Sequence, residues 1–226
     1  MMAHDAEFFW NVIYISIKVA ILSTVINIPP AVILGWVVAK KDFSGKFIVE
    51  LAISLPLVLP PVVIGYLLLI LMGREGPLGK LSSSLFGVDL VFTWVAAAVA
   101  ASIVSFPLIV RAIVVAMKSV DPKLERSARS LGAGAARTFF TVTLPIAYQG
   151  VLAGVLLGFV RALGEFGATI IVAGNIPGRT QTLPLAIFGK VMLGKNEQAF
   201  QLITASVGLA IISILIHNWL LGKARR

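Results

Sequence analysis

The 226-residue chain has no cysteine and only two histidines, His4 and His217, near its opposite ends. Disulfides, a thiolate nucleophile and sulfur-ligated metals are thereby excluded. With no carboxylate cluster near either histidine, the sequence predicts no metal site. Charge is scarce as well: 13% of residues are charged, against about 25% in soluble domains. Acids are the rarer sign, 10 against 19 basic residues, leaving a net charge of +9. That excess forms no basic stripe interleaved with aromatics. It gathers at the ends of apolar runs, which argues against nucleic acid as a partner.

What the chain has in abundance is apolar surface. Hydrophobic residues make up 58% of it, and the mean hydropathy is +0.99. So much apolar surface must face lipid. Five runs reach the roughly 20 residues a membrane crossing needs: about Phe8–Ala39, Phe47–Met72, Leu90–Met117, Leu144–Ala173 and Phe200–Leu221. The acidic start, MMAHDAEFFW, is unlike a basic signal peptide, so the first run is expected to remain as an anchor. No linker separates a second domain, and residues 1–226 read as one all-α integral membrane unit.

The links between runs differ in charge. Twelve of the 19 basic residues follow run one (Lys40, Lys41, Lys46), end or follow run three (Arg111, Lys118, Lys123, Arg126, Arg129, Arg137) or close the chain (Lys223, Arg225, Arg226). Cytoplasmic loops carry such an excess. The expected topology is an N-terminus outside, five crossings and a cytoplasmic C-terminus. Gly45 suits a tight inner turn. Residues 174–195 are too polar and interrupted to span, and predict an outer loop with a short amphipathic or re-entrant piece near Leu183–Leu193.

Prolines interrupt the runs at Pro29–Pro30, at Pro56 with Pro60 and Pro61, and at Pro107. Each removes a backbone donor and clashes with the preceding turn. For the second run this means either a kink tolerated by neighbouring helices or an opened helix lining a path. In run four, Gly150, Gly154 and Gly158 recur every fourth residue, a stripe on which another helix can pack closely. Arg161 and Glu165 follow, one helical turn apart. They read as a structural ion pair or as part of a translocation path, since charges at this depth avoid lipid. Lys18 lies near enough to the outer boundary to snorkel and is assigned no role.

The polar segment 119–143 is the least expected part of so apolar a chain. Asp121-Pro122 is a strong helix start, with Asp as N-cap and Pro at the first helical position. Gly132 suits the left-handed residue that ends the helix. Leu124, Ala128 and Leu131 form an i, i+4, i+7 stripe, and Glu125 is placed to pair with Arg129. A second helical turn is expected before Leu144-Pro145 re-enters the membrane. The apolar stripe suits a lipid interface or a partner's groove. GKVMLGKN, Gly189–Asn196, falls one residue short of a phosphate-binding loop, having Asn196 where Ser or Thr is needed. ATP chemistry, if used, is expected on another chain.

Gly132, Val142, Leu144 and Pro145, in the pattern G-x9-V-x-LP, resemble the cytoplasmic signature of bacterial ABC importer permeases. The preceding glutamate-alanine-alanine element is only partly matched, with Arg126, Ser127 and Ala128 in its place and Glu125 displaced by one. The stretches LPLVLPPVVIGYLLL, RALGEFGAT and GNIPGRTQTLP extend the likeness to the molybdate/tungstate permeases. RALGEFGA is shared with sulfate permeases. This resemblance implies a type I ABC importer permease fold in a bacterial inner membrane, with 119–143 as the coupling loop. It also implies a homodimer, two ATPase subunits that bind ATP and magnesium, and an extracytoplasmic molybdate-binding protein. This chain would hold no cofactor and catalyse nothing. Pro60, Pro61, Arg161 and Glu165 are the pathway candidates. The rivals are a sulfate or thiosulfate permease and an ion-coupled secondary transporter, which would show repeated broken helices around a midplane charge. A membrane-embedded enzyme would need a nucleophile–base or metal cluster.

Overall fold

The computed structural model describes residues 2–223. Arg225 and Arg226, and the side chains of His4, Asp5, His217 and Lys223, lie outside the described residues. The architecture is all-helical. Long helices α1 (Met2–Lys40), α5 (Trp94–Lys118), α8 (Leu144–Leu163) and α11 (Asn196–Lys223) provide most of the length. Between them lie α2 (Lys46–Val58), α3 (Pro61–Met72), α4 (Pro77–Phe86), α6 (Pro122–Ser130), α7 (Ala135–Thr138), α9 (Gly167–Val172) and α10 (Leu183–Met192). A π-turn, Phe139–Thr143, joins α7 to α8. Four helical segments are long and apolar enough to cross a bilayer, five if α2 and α3 count as one bent span.

The prolines act differently from one another. α1 and α5 run unbroken through Pro29–Pro30 and Pro107, contrary to the interruptions expected there. Neighbouring helices tolerate the lost bonds, and a polar tie stands beside both sites: the Asn27 amide donates to the Ser102 carbonyl (2.9 Å) and to Ser105 Oγ (3.1 Å). Pro60 and Pro61 together do break their helix. A residue before proline is driven out of the helical region, and Leu59 and Pro60 are both extended, with ψ of 140° and 133°. The chain turns by 107° between α2 and α3, so the single run Phe47–Met72 is two helices. Run four also divides: α8 ends at Leu163, and three residues separate it from α9. At the other end helix extends back to Ala135, because the wider π-turn precedes Pro145 and relieves its clash with the preceding turn.

α5 is the central post. Its alanine-rich start, Ala96 to Ala101, is buried against α1, α3 and α9. Its second half places Ile109, Ile113 and Met117 against α1, α2 and α8. The glycine stripe of α8 faces this post. A methyl group on Gly154 would lie 2.8 Å from Ala112 Cβ, and methyls on Gly150 and Gly158 would collide with Ala116 and Ile109. α10, too short to cross, tucks against α1, where the Leu183 N–H donates to Ser16 Oγ at 2.7 Å. Outward faces of α2, α3 and α11 carry exposed Phe47, Leu51, Val62, Tyr66, Val207 and Ile211, as lipid or a second subunit would require. Lys18 does more than snorkel, since its ammonium lies 3.7 Å from the centre of the Trp94 ring.

Candidate functional site

Three features bear on function, and they sit at different levels of the fold. The first is the 119–143 hairpin at the end of α5. The Asp121 carboxylate accepts from the Lys123 N–H at 2.8 Å and caps α6. At the other end Gly132 has φ 86°. There the Ala133 N–H bonds the Ala128 carbonyl (3.1 Å) and the Gly132 N–H bonds the Arg129 carbonyl (3.0 Å), which is the Schellman pattern. No residue of α6 is buried. Leu124 is 48% and Leu131 90% exposed, so the apolar stripe points away from the chain. Ala128 is half-buried, as are Val142 and Leu144, while Pro145 is exposed.

Glu125 does not pair with Arg129. It turns inward, where its carboxylate meets Lys40 Nζ at 3.2 Å and accepts from Thr143 Oγ1 at 2.6 Å. Lys40 also donates to the Val120 carbonyl at 3.0 Å. Neither Lys40 nor Thr143 stands out in the sequence, where Lys40 is one of several boundary lysines and Thr143 one of several hydroxyl residues.

The second feature is the meeting of the two helix breaks. α3 and α9 pack so closely that a methyl on Gly65 would lie 2.6 Å from the Ala168 carbonyl oxygen. One on Gly167 would lie 2.9 Å from Pro61 Cβ. Pro60 and Pro61 are thereby brought beside the Gly164–Phe166 break. Arg161 and Glu165 pair at 2.9 Å. Glu165 stands beyond the end of α8, however, and its other task is to accept from the Ala168 N–H at 2.9 Å. A carboxylate at a helix start satisfies free N–H groups and complements the helix dipole. Glu165 is 2% exposed, Arg161 31%, so the arginine is the half open to its surroundings. Four sequence candidates, Pro60, Pro61, Arg161 and Glu165, thus share one junction.

The third feature lies at the opposite end of α5 from the hairpin. An open cleft of about 850 Å³ is bordered by Leu69, Gly73, Arg74, Asp89, Phe92 and Arg179. Arg74 grips Asp89 through Nη2 at 2.7 Å and Nε at 3.1 Å. Hydrogen bonding from Arg74 holds the Asp89 carboxyl below its ordinary range.

Comparison with known proteins assigns this arrangement. A family described as "Binding-protein-dependent transport system inner membrane component" matches residues 31–226. The molybdenum transport system permease protein ModB of Haemophilus influenzae is 47% identical over 217 residues, covering 96% of this chain and 95% of that one. ModB of Escherichia coli K12 is 45% identical over 226 residues, covering 100% and 98%. The sulfate transport system permease protein CysW of Synechococcus elongatus is 38% identical, covering 93% of this chain but 75% of its own. Among solved structures, a bacterial alginate ABC transporter in complex with a pentasaccharide-bound periplasmic protein matches with TM-score 0.73 at 16% identity, covering 94% and 77%. The MetNI methionine ABC transporter matches with TM-score 0.66 at 15% identity, covering 97% of each chain. At such identities the structures speak for the fold, which is that of type I importer permeases. The chain belongs to the inner-membrane components of binding-protein-dependent transport systems, the membrane-spanning permease subunits of ABC importers.

Proposed function

We propose that this chain is the permease through which an ATP-driven importer moves molybdate, or its close analogue tungstate, across the cytoplasmic membrane. The observation that carries the reading is near full-length identity of 45–47% to molybdenum transport permeases. A sulfate permease is the second reading, favoured by the 38% identity to CysW. The lengths weigh against it, because the chain spans only three-quarters of that relative.

The working unit is a homodimer with two ATPase subunits, which bind ATP and magnesium, and an extracytoplasmic binding protein that delivers the anion. The basic links place the hairpin and the C-terminus in the cytoplasm and residues 174–182 outside. α6 offers Leu124 and Leu131 to a groove of the ATPase, as an amphipathic helix docks by its apolar residues. Closure of the ATPases on ATP moves α6, and the permease alternates between inward- and outward-open states. Selectivity belongs mainly to the delivery protein, because a tight site within the path would slow release.

Labelled molybdate uptake, measured in cells lacking their own molybdate permease and supplied with this chain and its partners, tests the assignment. Uptake that tungstate suppresses and excess sulfate does not is expected. Suppression by sulfate with no effect of tungstate would transfer the assignment to sulfate.

A further inference from the structure

A nine-residue helix with no buried residue needs something other than core packing to hold it in place. The Asp121 cap and the Gly132 turn fix the shape of α6 but not its position. Among the described residues, Glu125 alone carries side-chain bonds from α6 to other elements. Its two partners, with the carbonyl that one of them also holds, stand at three different span ends. Lys40 is the last residue of α1, the Val120 carbonyl that Lys40 also holds follows α5, and Thr143 ends the π-turn leading into α8. The Lys40 and Glu125 side chains are 13% and 12% exposed, so the pair is shielded from water and strengthened accordingly. Lys40, Glu125 and Thr143 themselves line a gap of about 190 Å³ between α6 and the bundle, bordered also by Trp36, Thr138 and Phe139. The helix is strutted away from the bundle rather than packed down on it.

We propose that Glu125, braced by Lys40 and Thr143, is the positioning residue through which displacement of α6 is passed to α1, α5 and α8. The proposal rests on α6 being the ATPase-docking element. With the strut present, a push on the exposed leucines displaces three spans together. Without it, α6 can shift into the gap that the strut now spans while the membrane helices stay where they are. Loss of the strut therefore separates hydrolysis from transport without abolishing either the docking residues or the fold. A contact that only stabilised the permease would lower both activities in parallel.

The test uses the complete complex, permease with its ATPase and binding protein, in proteoliposomes, and reads molybdate transported per ATP hydrolysed. Glu125→Gln and Lys40→Met are expected to retain the ATPase and to keep hydrolysing, while the transport ratio falls roughly tenfold, within the usual range of coupling between sites. The double variant should be no worse than either single one, because both remove the same link. Lys40→Arg, which can still reach both acceptors, should restore the ratio. An unchanged ratio in Glu125→Gln and Lys40→Met, or a parallel loss of hydrolysis and transport as the ATPase dissociates, would overturn the proposal. Leu131→Asp is the separate control for docking: full ATPase retention in that variant would remove the docking reading and this inference with it. Transport of sulfate instead of molybdate by the wild type would overturn only the substrate assignment, and the same ratios would then be read with sulfate.

Discussion

Gly167 of α9 lies against Pro61 of α3, so close that a single methyl on the glycine would come within 2.9 Å of the proline Cβ. Two helix breaks, produced by unrelated local signals, thus lock into each other. Gly65 repeats the relationship one turn along, beneath the Ala168 carbonyl. At Gly65 a Cβ would strike the Ala168 backbone and at Gly167 the rigid Pro61 ring, so neither site has a flexible side chain that could easily move aside. Gly65→Ala should destabilise the permease by about 1–3 kcal/mol, the usual cost of overpacking, and Gly65→Leu should fail to assemble. Thermal unfolding in detergent measures the first and size-exclusion behaviour the second. An alanine variant with wild-type stability would mean that α3 and α9 separate easily.

The Arg161–Glu165 pair is unequal, and its variants should be unequal too. Arg161→Ala leaves a carboxylate that is 2% exposed without its cation, at a cost of about 3 kcal/mol. Glu165→Gln leaves a partly exposed guanidinium, and the Gln oxygen can still accept from the Ala168 N–H, so about 1 kcal/mol is expected. The double variant should be milder than Arg161→Ala alone. These differences are read by unfolding midpoints. If the double variant is stable, assembles and hydrolyses ATP but moves no anion, Arg161 belongs to the path; normal uptake in both single variants would rule out both roles.

Gly132 has φ 86° and open space where a Cβ would be. The cost of a side chain there is backbone strain of about 1 kcal/mol, with no collision inside this chain. Gly132→Ala should therefore insert, bind its ATPase and transport nearly normally. Gly132→Asp carries similar strain, but it sets a charge beside Leu131 on the docking side and should lose ATPase retention. Co-purification of the ATPase with each variant decides the matter, and wild-type retention in the Asp variant would remove the hairpin as the coupling element.

Orientation follows from the basic links. A reporter fused after Arg226 should read cytoplasmic, and one inserted at Gly178 should read extracytoplasmic. Reversed signals would move the 119–143 hairpin to the outside and end its proposed role.

Much of this molecule was determined by the sequence alone, wherever a local rule acts. Apolar length set the spans, because a bilayer core admits no unpaired backbone. Asp121-Pro122 and Gly132 bounded α6, because caps and left-handed turns depend on a few neighbouring residues. The glycines of α8 announced a close helix contact through their spacing. Tertiary structure decided the rest, and it did so where the outcome depends on a distant partner. The same residue type breaks the helix at Pro60–Pro61 and leaves α1 unbroken through Pro29–Pro30, because what a lost backbone bond costs depends on what surrounds it. Glu125 had Arg129 within reach along its own helix, yet it faces Lys40 and Thr143. An exposed i, i+4 pair is worth only a few tenths of a kcal/mol; a shielded carboxylate with a cation and a hydroxyl is held far more firmly. That choice required three span ends to converge, and only the folded chain brings them together.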